Sequence, residues 1–229
     1  MPFILLIKAV LLSIMIFERN EPCMRFSNIK AKFSLIITLG LSVLQLHAQS
    51  GPGGIGDGSG TNGPRNVLWL DASTLGTTGL NLANDADVTT WSDQSGNGND
   101  LGQHDADGVP TFRNDGLSGT HDIVRFDGTE KYLVIGDNAS LDGYTDGMCV
   151  FVVANFTTVD NSPRGILSKR ISSGSQASYS LFTYTGSDLN FDVYTPSNNR
   201  LGGNTALTAS TDYILSTLYN GSNQYINVQ

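Results

Sequence analysis

The sequence predicts an all-β protein built from short antiparallel strands, and three features support this. Beyond residue 48 nearly every acidic residue is aspartate, with Glu130 the only glutamate, and aspartate favours turns whereas glutamate favours helix. The chain of 229 residues holds 26 glycines, which suit many tight turns. No stretch beyond the leader sustains the 3.6-residue periodicity of an amphipathic helix. Together these features favour one sandwich or barrel domain over alternating strands and helices.

Residues 24–48 have the three parts of a signal peptide: a basic end, an apolar core and a small residue before the cleavage point. The apolar core at 34–46 is shorter than the roughly 20 residues that cross a bilayer as a helix. We therefore expect cleavage after Ala48, a mature chain that begins at Gln49, and a secreted or cell-surface location with no membrane attachment after cleavage. The basic end contains Arg25, Lys30 and Lys32.

Residues 1–23 precede that signal and are also largely apolar, interrupted by Lys8. Because Met24 is a natural start, the first interpretation is that residues 1–23 are a misassigned upstream start. The alternative is a membrane hairpin of two short apolar segments, which would tether the domain instead of releasing it.

A glycine-rich run at 49–65, QSGPGGIGDGSGTNGPR, follows the signal and predicts a flexible linker. The folded domain is then expected to span 66–229. Within it, short runs with strand chemistry alternate with clusters of Gly, Asn, Asp and Ser. The predicted strands are 66–72, 88–91, 122–127, 131–135, 148–157, 164–170, 177–185, 188–195, 212–219 and 224–228.

The alternation of apolar and polar residues separates two kinds of strand. In 148–154 both faces are apolar, which predicts a central strand covered on both sides. In 188–195 apolar and polar residues alternate, which predicts one buried face and one face in water, and 177–185 follows the same pattern. Gly186 and Ser187, between these two strands, suit the two-residue II′ turn of a β-hairpin.

Charge and cysteine content exclude several functions. The net charge is −8, and Lys131 and Lys169 are the only lysines beyond the leader, so the clustered cations that nucleic-acid binding needs are missing. Once the leader is removed, Cys149 has no partner for a disulfide and is expected to be a small buried hydrophobe. Catalysis is not expected, because a single glutamate supplies no Glu pair of the glycosidase type and because His104 and His121 lie in no catalytic motif.

Three patches resemble a known family: LWLDAS at 68–73, WSDQSGNGND at 91–100 and VRFDGTEKYL at 124–133. In this order and spacing they are similar to the laminin-G-like jelly roll of the concanavalin-A-like superfamily, as it occurs near the start of bacterial cell-surface and adhesin-type proteins. The resemblance covers 65–229. It implies a jelly-roll sandwich of two antiparallel sheets.

The resemblance also implies roles for single residues. Trp91 would anchor a loop to the core, and Phe126 would fill the core beside the turn that follows it. After a strand such as 225–228 the family has further closing strands, so the domain is expected to be incomplete at its C-terminus. Such a fragment, expressed alone, is expected to aggregate or to expose apolar surface.

Calcium is the one cofactor that the resemblance suggests, because some members of the family bind it through loop oxygens. The loop at 93–100 is rich in such oxygens, and flexible Asp/Asn/Gly loops suit calcium. A turn held by Asx hydrogen bonds explains the same residues without a metal. The candidate calcium ligands are Asp93, Asn97, Asn99, Asp100 and, from the neighbouring motif, Asp127.

A second candidate site uses aromatic and polar side chains, since sugar-binding sites pair an aromatic ring with fixed polar groups. Tyr184, Asp192 and Tyr194 fall on the polar faces of two adjacent predicted strands and could form such a site. The alternative is a polar face that simply meets water. Trp69 and Trp91 have apolar neighbours and are assigned to the core.

The function expected from these features is that of a non-catalytic, secreted or cell-surface binding module within a larger exported protein. Its partner would be an extracellular glycan or a surface protein. A structural spacer without a ligand is the alternative, and a fragment of a glycan-active enzyme comes third.

Overall fold

The computed structural model describes residues 3–5, 10–18, 65–76, 79–104, 108–142, 147–169, 179–194 and 199–229. The predicted signal peptide and nearly all of the predicted linker lie outside the described residues, so cleavage and export stay predictions. In the described residues the chain forms fifteen strands, and its helical pieces are short 3-10 turns at 72–75, 139–141 and 185–187. The all-β prediction is confirmed.

The strands are numbered in chain order. Their bounds are β1 Phe3–Leu5, β2 Val10–Glu18, β3 Arg65–Asp71, β4 Thr90–Trp91, β5 Leu101–Gln103, β6 Thr111–Leu117, β7 His121–Arg125, β8 Leu133–Ile135, β9 Met148–Asn155, β10 Arg164–Lys169, β11 Tyr179–Tyr184, β12 Asp188–Val193, β13 Asn199–Ala206, β14 Asp212–Tyr219 and β15 Gln224–Val228.

The strands form two antiparallel sheets around one core. The first sheet has the order β13-β12-β11-β10-β1-β8-β5-β4. The second has the order β15-β14-β9-β2-β7-β6, and β3 pairs with the same edge of β2 as β7 does. Side chains from both sheets enter the core, where the largest fully buried ones are those of Trp91, Phe112, Phe156, Tyr179 and Phe191. The architecture is therefore sandwich-like.

Every strand predicted from the sequence is present. β14 and β15 have the predicted bounds and are joined by a tight turn in which the Asn220 N–H donates to the Asn223 carbonyl over 3.1 Å. β9 is central as predicted, between β14 and β2. One face of β9 is less covered than predicted, because Phe151 and Val153 are only half-buried.

Three strands beyond residue 65 escaped the sequence prediction: β5, β6 and β13. β5 is very short, while β6 and β13 carry glycines and turn-forming residues. In β6 a bulge accommodates the glycine and the turn-forming residues. Arg113 pairs with Ile123 and Leu117 pairs with His121, so β6 holds more residues between these two pairs than β7 does. Gly116 lies in the bulge, where a Cβ atom would stand 2.3 Å from Ile123 Cδ1.

The turn between β11 and β12 differs from the predicted II′ type. Gly186 and Ser187 have φ angles of 80° and 66°, and two consecutive positive φ angles are typical of type I′. Tyr184 pairs with Asp188, so Thr185 belongs to the loop as well. The extra residue explains why a two-residue turn was the wrong prediction.

The segment ahead of the predicted signal supplies two interior strands. β1 lies between β8 and β10 in the first sheet. β2 pairs with β9 along one edge and with β3 and then β7 along the other. Neither interpretation of residues 1–23, as an upstream start or as a membrane hairpin, anticipates this pairing.

Cys149 on β9 is buried, as expected, and it is disulfide-bonded. The sequence contains one other cysteine, Cys23, which lies outside the described residues. We expected an unpaired Cys149 thiol because removal of the leader would also remove Cys23. In the whole chain this expectation is wrong, since Cys149 is disulfide-bonded.

Candidate functional site

The loop between β4 and β5 is organised around the Asp93 carboxylate. Its Oδ1 accepts hydrogen bonds from the backbone N–H groups of Trp69, at 2.9 Å, and Ser95, at 2.8 Å. Its Oδ2 accepts from the Ser95 hydroxyl at 2.7 Å and from the Asn99 N–H at 3.0 Å. Four donors therefore use both oxygens. The bond from the Ser95 N–H is of the Asx type that the sequence offered as the alternative to calcium, and the bond from Trp69 ties the loop to β3.

The other candidate ligands of this loop also bond within the protein. The Asn97 amide donates to the Asn66 carbonyl at 2.8 Å, and the Asn99 amide donates to the Val67 carbonyl at 2.7 Å. The Asp100 carboxylate accepts a hydrogen bond from the Asp93 N–H, at the start of the loop, at 2.8 Å. These bonds fasten the loop to β3, and we call residues 93–100 the clamp loop.

Asp127 lies in a turn of its own. Its Oδ1 accepts from the Thr129 N–H and from the Thr129 hydroxyl, each at 2.9 Å. Burial alone would raise the pKa of Asp127, but the Thr129 hydrogen bonds and the charge of Lys131 lower it. Across the described ranges, no three His, Cys, Asp or Glu side chains are grouped so that they could hold a metal ion.

The three candidate sugar-binding residues are placed on β11, on β12 and just after β12, and they do not form one site. Tyr184 pairs with Asp188 at the turn end of the hairpin, whereas Tyr194 follows Val193, which pairs with Tyr179 at the opposite end. At the usual rise per strand residue, the two tyrosines are about 20 Å apart. Tyr184 is 37% exposed, and its ring is accompanied by another aromatic ring from β11.

The polar face of β12 is buried, contrary to the prediction of a face in water. Asn190 and Asp192 are 6% and 4% exposed, and Ser180, which pairs with Asp192, is buried too. β12 is an interior strand, flanked by β11 and by β13, which the sequence did not predict. The Asp192 side chain is therefore too buried to contact a ligand on this surface.

A pocket opens on the second sheet beside the β6–β7 hairpin, where the sequence predicted no site. Thr111 pairs with Arg125 and Arg113 pairs with Ile123, so the two arginines stand diagonally on the same face of neighbouring strands. We call this recess the arginine pocket. Its lining residues are Asn84, Arg113, Asn114, Gly116, Ile123, Arg125, Asn155 and Thr157.

The two guanidinium groups of the arginine pocket differ in their partners. Arg113 makes a two-point ion pair with Asp85, at 3.0 Å from Nη1 and 2.6 Å from Nη2. Its Nε is buried and has no hydrogen-bond partner. The guanidinium of Arg125 is exposed, and no hydrogen bond or ion pair engages it within the described part of the chain. One cation is thus neutralised and the other remains available.

Asp212 at the start of β14 holds the rim of the pocket together. It accepts from the Ser118 hydroxyl at 2.6 Å and from the Asn155 amide at 2.7 Å, so it links the β6–β7 turn to the end of β9. Both donors favour the charged carboxylate and lower the pKa of Asp212.

Little in the sequence predicts the arginine pocket, because its residues come from four separate stretches of chain. The one available signal was charge, since Arg113 and Arg125 flank a short turn within a strongly acidic chain. The sequence alone does not give the register of the β6–β7 hairpin, and that register is what puts Arg113 and Arg125 on the same face.

No protein-family model, no curated protein and no solved structure matches this chain. Its function therefore has to be argued from its sites and not from relatives. In the stretches that the structure describes, no helix combines the length and the apolar character needed to cross a membrane.

Proposed function

We propose that this chain is a non-catalytic binding module, exported to the cell surface or the medium, that recognises an extracellular glycan in the arginine pocket. The observation that carries the proposal is the unengaged guanidinium of Arg125 beside amide-bearing side chains. A concanavalin-A-like jelly roll is the architecture we propose for it, and two antiparallel sheets around one core support that assignment.

The chemistry of the pocket suits a saccharide that carries a carboxylate. The guanidinium of Arg125 can bind a carboxylate through two parallel N–H···O bonds. The buried Nε–H of Arg113 is a further donor without a partner. The amide of Asn114 offers both donors and an acceptor, as sugar hydroxyls require, whereas the Asn84 oxygen already accepts from the Asn114 N–H at 3.1 Å.

The same lining argues against catalysis in this pocket. Among the described residues that line it there is no carboxylate and no histidine, so no acid–base pair faces a bound sugar. Two carboxylates that contact lining residues are both engaged within the protein: Asp85 in the ion pair with Arg113, and Asp212 in hydrogen bonds from Ser118 and Asn155. The proposal is therefore recognition without turnover.

A glycan array that contains neutral and carboxylate-bearing oligosaccharides tests the proposal on the full chain. We expect binding to acidic members. Arg125→Ala should weaken that binding about tenfold or more, because a charge-assisted hydrogen bond contributes roughly 1.5–3 kcal/mol. Binding should also weaken with added salt.

Tyr184→Ala is the matched control, because Tyr184 is exposed on the other sheet and should leave binding unchanged. If Tyr184→Ala abolishes binding and Arg125→Ala does not, the glycan is bound at the β11–β12 hairpin. Failure to bind any glycan would contradict the proposal.

A structural spacer is the second candidate function, and the clamp loop favours it. All four candidate ligand side chains in that loop bond to the protein itself. A domain that used all of its polar groups in this way would have none left for a ligand. The arginine pocket is the feature that a spacer does not explain.

A further inference from the structure

The position of β1 and β2 in the sheets is at odds with their position in the chain. All other strands come from residues 65–228, whereas β1 and β2 come from residues 3–18. Both are nevertheless interior strands, and each pairs with neighbours on both edges. The undescribed residues 19–64 separate them from the rest of the domain.

Removing β1 and β2 would divide both sheets. In the first sheet β10 and β8 would lose their shared neighbour, leaving β13-β12-β11-β10 apart from β8-β5-β4. In the second sheet β9 would be separated from β3 and from β7. The edges so opened would carry rows of unpaired backbone N–H and C=O groups, which are sites for pairing with another strand.

The sequence of β2 suits the position that it fills. Its flanking strands, β3 and β9, are largely buried, so the strand between them has to be apolar. β2 reads VLLSIMIFE, with no charge before its last residue. It pairs with β9 in nearly continuous register, from Val10 with Asn155 to Glu18 with Met148.

A covalent link is an independent observation that points the same way. Phe17 of β2 pairs with Cys149 of β9, and Cys149 is disulfide-bonded. The only other cysteine of the chain, Cys23, follows β2 closely in sequence. The sequence therefore offers Cys23 as the partner of Cys149.

We propose that residues 3–5 and 10–18 are a donor strand pair and that the groove that they fill is a docking site for this one segment of the chain, which backbone pairing holds independently of the covalent connection. The donor enters one sheet as β1 and the other as β2, and residues 6–9 connect the two. The groove recognises its occupant by backbone pairing on both edges, as in β-strand addition. A cut in the glycine-rich run at 51–63 would separate donor and acceptor along the chain, and backbone pairing would still hold the donor in both sheets.

Limited cleavage of the full chain tests this proposal. A specific protease site inserted into the glycine-rich run at 51–63 lets the folded protein be cut after purification. We expect the N-terminal fragment to co-elute with the domain under native conditions, even after reduction, and to separate only when denaturant is added with the reductant. Release by reduction alone, from a domain whose melting temperature does not change, would overturn the proposal.

A proline variant and its control locate the effect. Ile14 pairs with Leu70 on one edge and Val152 on the other, so Ile14→Pro removes an N–H from an interior strand. After cutting and reduction we expect this variant to release the fragment. Ile37→Pro, in the apolar core of the predicted signal, should retain it. Release from neither variant would contradict the assignment.

Hydrogen exchange on the unmodified full chain covers the case in which Ile14→Pro fails to fold. The amides of residues 10–18 should be protected to the same extent as those of 148–155, because the two strands share one ladder. Exchange of 10–18 at the rate of an unstructured peptide would overturn the proposal. Neither measurement depends on glycan binding, so a failure here is distinguishable from a failure of the proposed function.

Discussion

The clamp loop and the arginine pocket contain similar polar side chains but use them in opposite ways. In the clamp loop the Asp93 carboxylate accepts four hydrogen bonds from neighbouring backbone and hydroxyl groups. In the arginine pocket the guanidinium of Arg125 has no described partner, and the buried Nε of Arg113 has none either. The loop has the residues that attract attention in the sequence, whereas the pocket has the unused hydrogen-bonding capacity.

The difference shows that oxygen-rich composition alone does not define a ligand site. Asp and Asn in a glycine-rich loop bond readily to nearby backbone, so such loops satisfy themselves. Arg125 is exposed and has no acceptor among the described residues, so its charge remains available, whereas the charge of Arg113 is neutralised by Asp85. We therefore expect substitutions in the loop to change stability and substitutions in the pocket to change binding.

The largest effect is expected for Asp93→Ala. It removes an acceptor from four donors, and those of Ser95 and Asn99 belong to buried residues, so the free energy of unfolding should fall by about 3–5 kcal/mol. Arg125→Ala, at an exposed and unpaired residue, should change it by less than about 0.5 kcal/mol. Urea denaturation of both variants measures the contrast. Similar losses from the two substitutions would remove the distinction between loop and pocket.

A smaller effect is expected within the loop itself. Asn99 is fully buried and its amide donates to the Val67 carbonyl and the Ser140 hydroxyl, so Asn99→Ala should cost about 2 kcal/mol or more. Asn97 is partly exposed, and Asn97→Ala should cost about 1 kcal/mol. Melting temperatures rank the two variants. A reversed order would mean that burial does not set the strength of these bonds.

Much of the fold could be predicted from the sequence, because strand chemistry and turn residues are local signals. The bounds of β14 and β15 follow from strand chemistry and from the turn residues between them, and the inward direction of Phe191 follows from alternation. β13 was missed because Gly202 and Gly203 resemble a turn. The arginine pocket depends on the register between β6 and β7 and on the nearby end of β9, which are non-local.

Acid should loosen the rim of the pocket. The Ser118 hydroxyl and the Asn155 amide lower the pKa of Asp212 below its ordinary value of 3.8. A lowered pKa contributes stability above the unfolded value, and that contribution is lost as the pH falls below 3.8 and through the folded value. The effect is small because Asp212 is exposed. Acid titration followed by melting temperature should show a shallower fall for Asp212→Asn than for the unmodified chain.

Calcium is expected to have no effect on stability. The carboxylate of Asp93 already has four donors, so a metal would have to displace them. The melting temperature should be the same in calcium and in chelator. A rise in calcium that Asp93→Asn and Asp100→Asn abolish would show that the clamp loop is a metal site after all.

Arginine side-chain NMR during titration with a carboxylate-bearing oligosaccharide tests the central claim most directly. The Nε–H signals of Arg125 and Arg113 should shift together and saturate, while the backbone amides of residues 93–100 stay in place. Unchanged arginine signals, or saturable shifts confined to the clamp loop or to the hairpin at Tyr184, would contradict the assignment of the arginine pocket as the binding site.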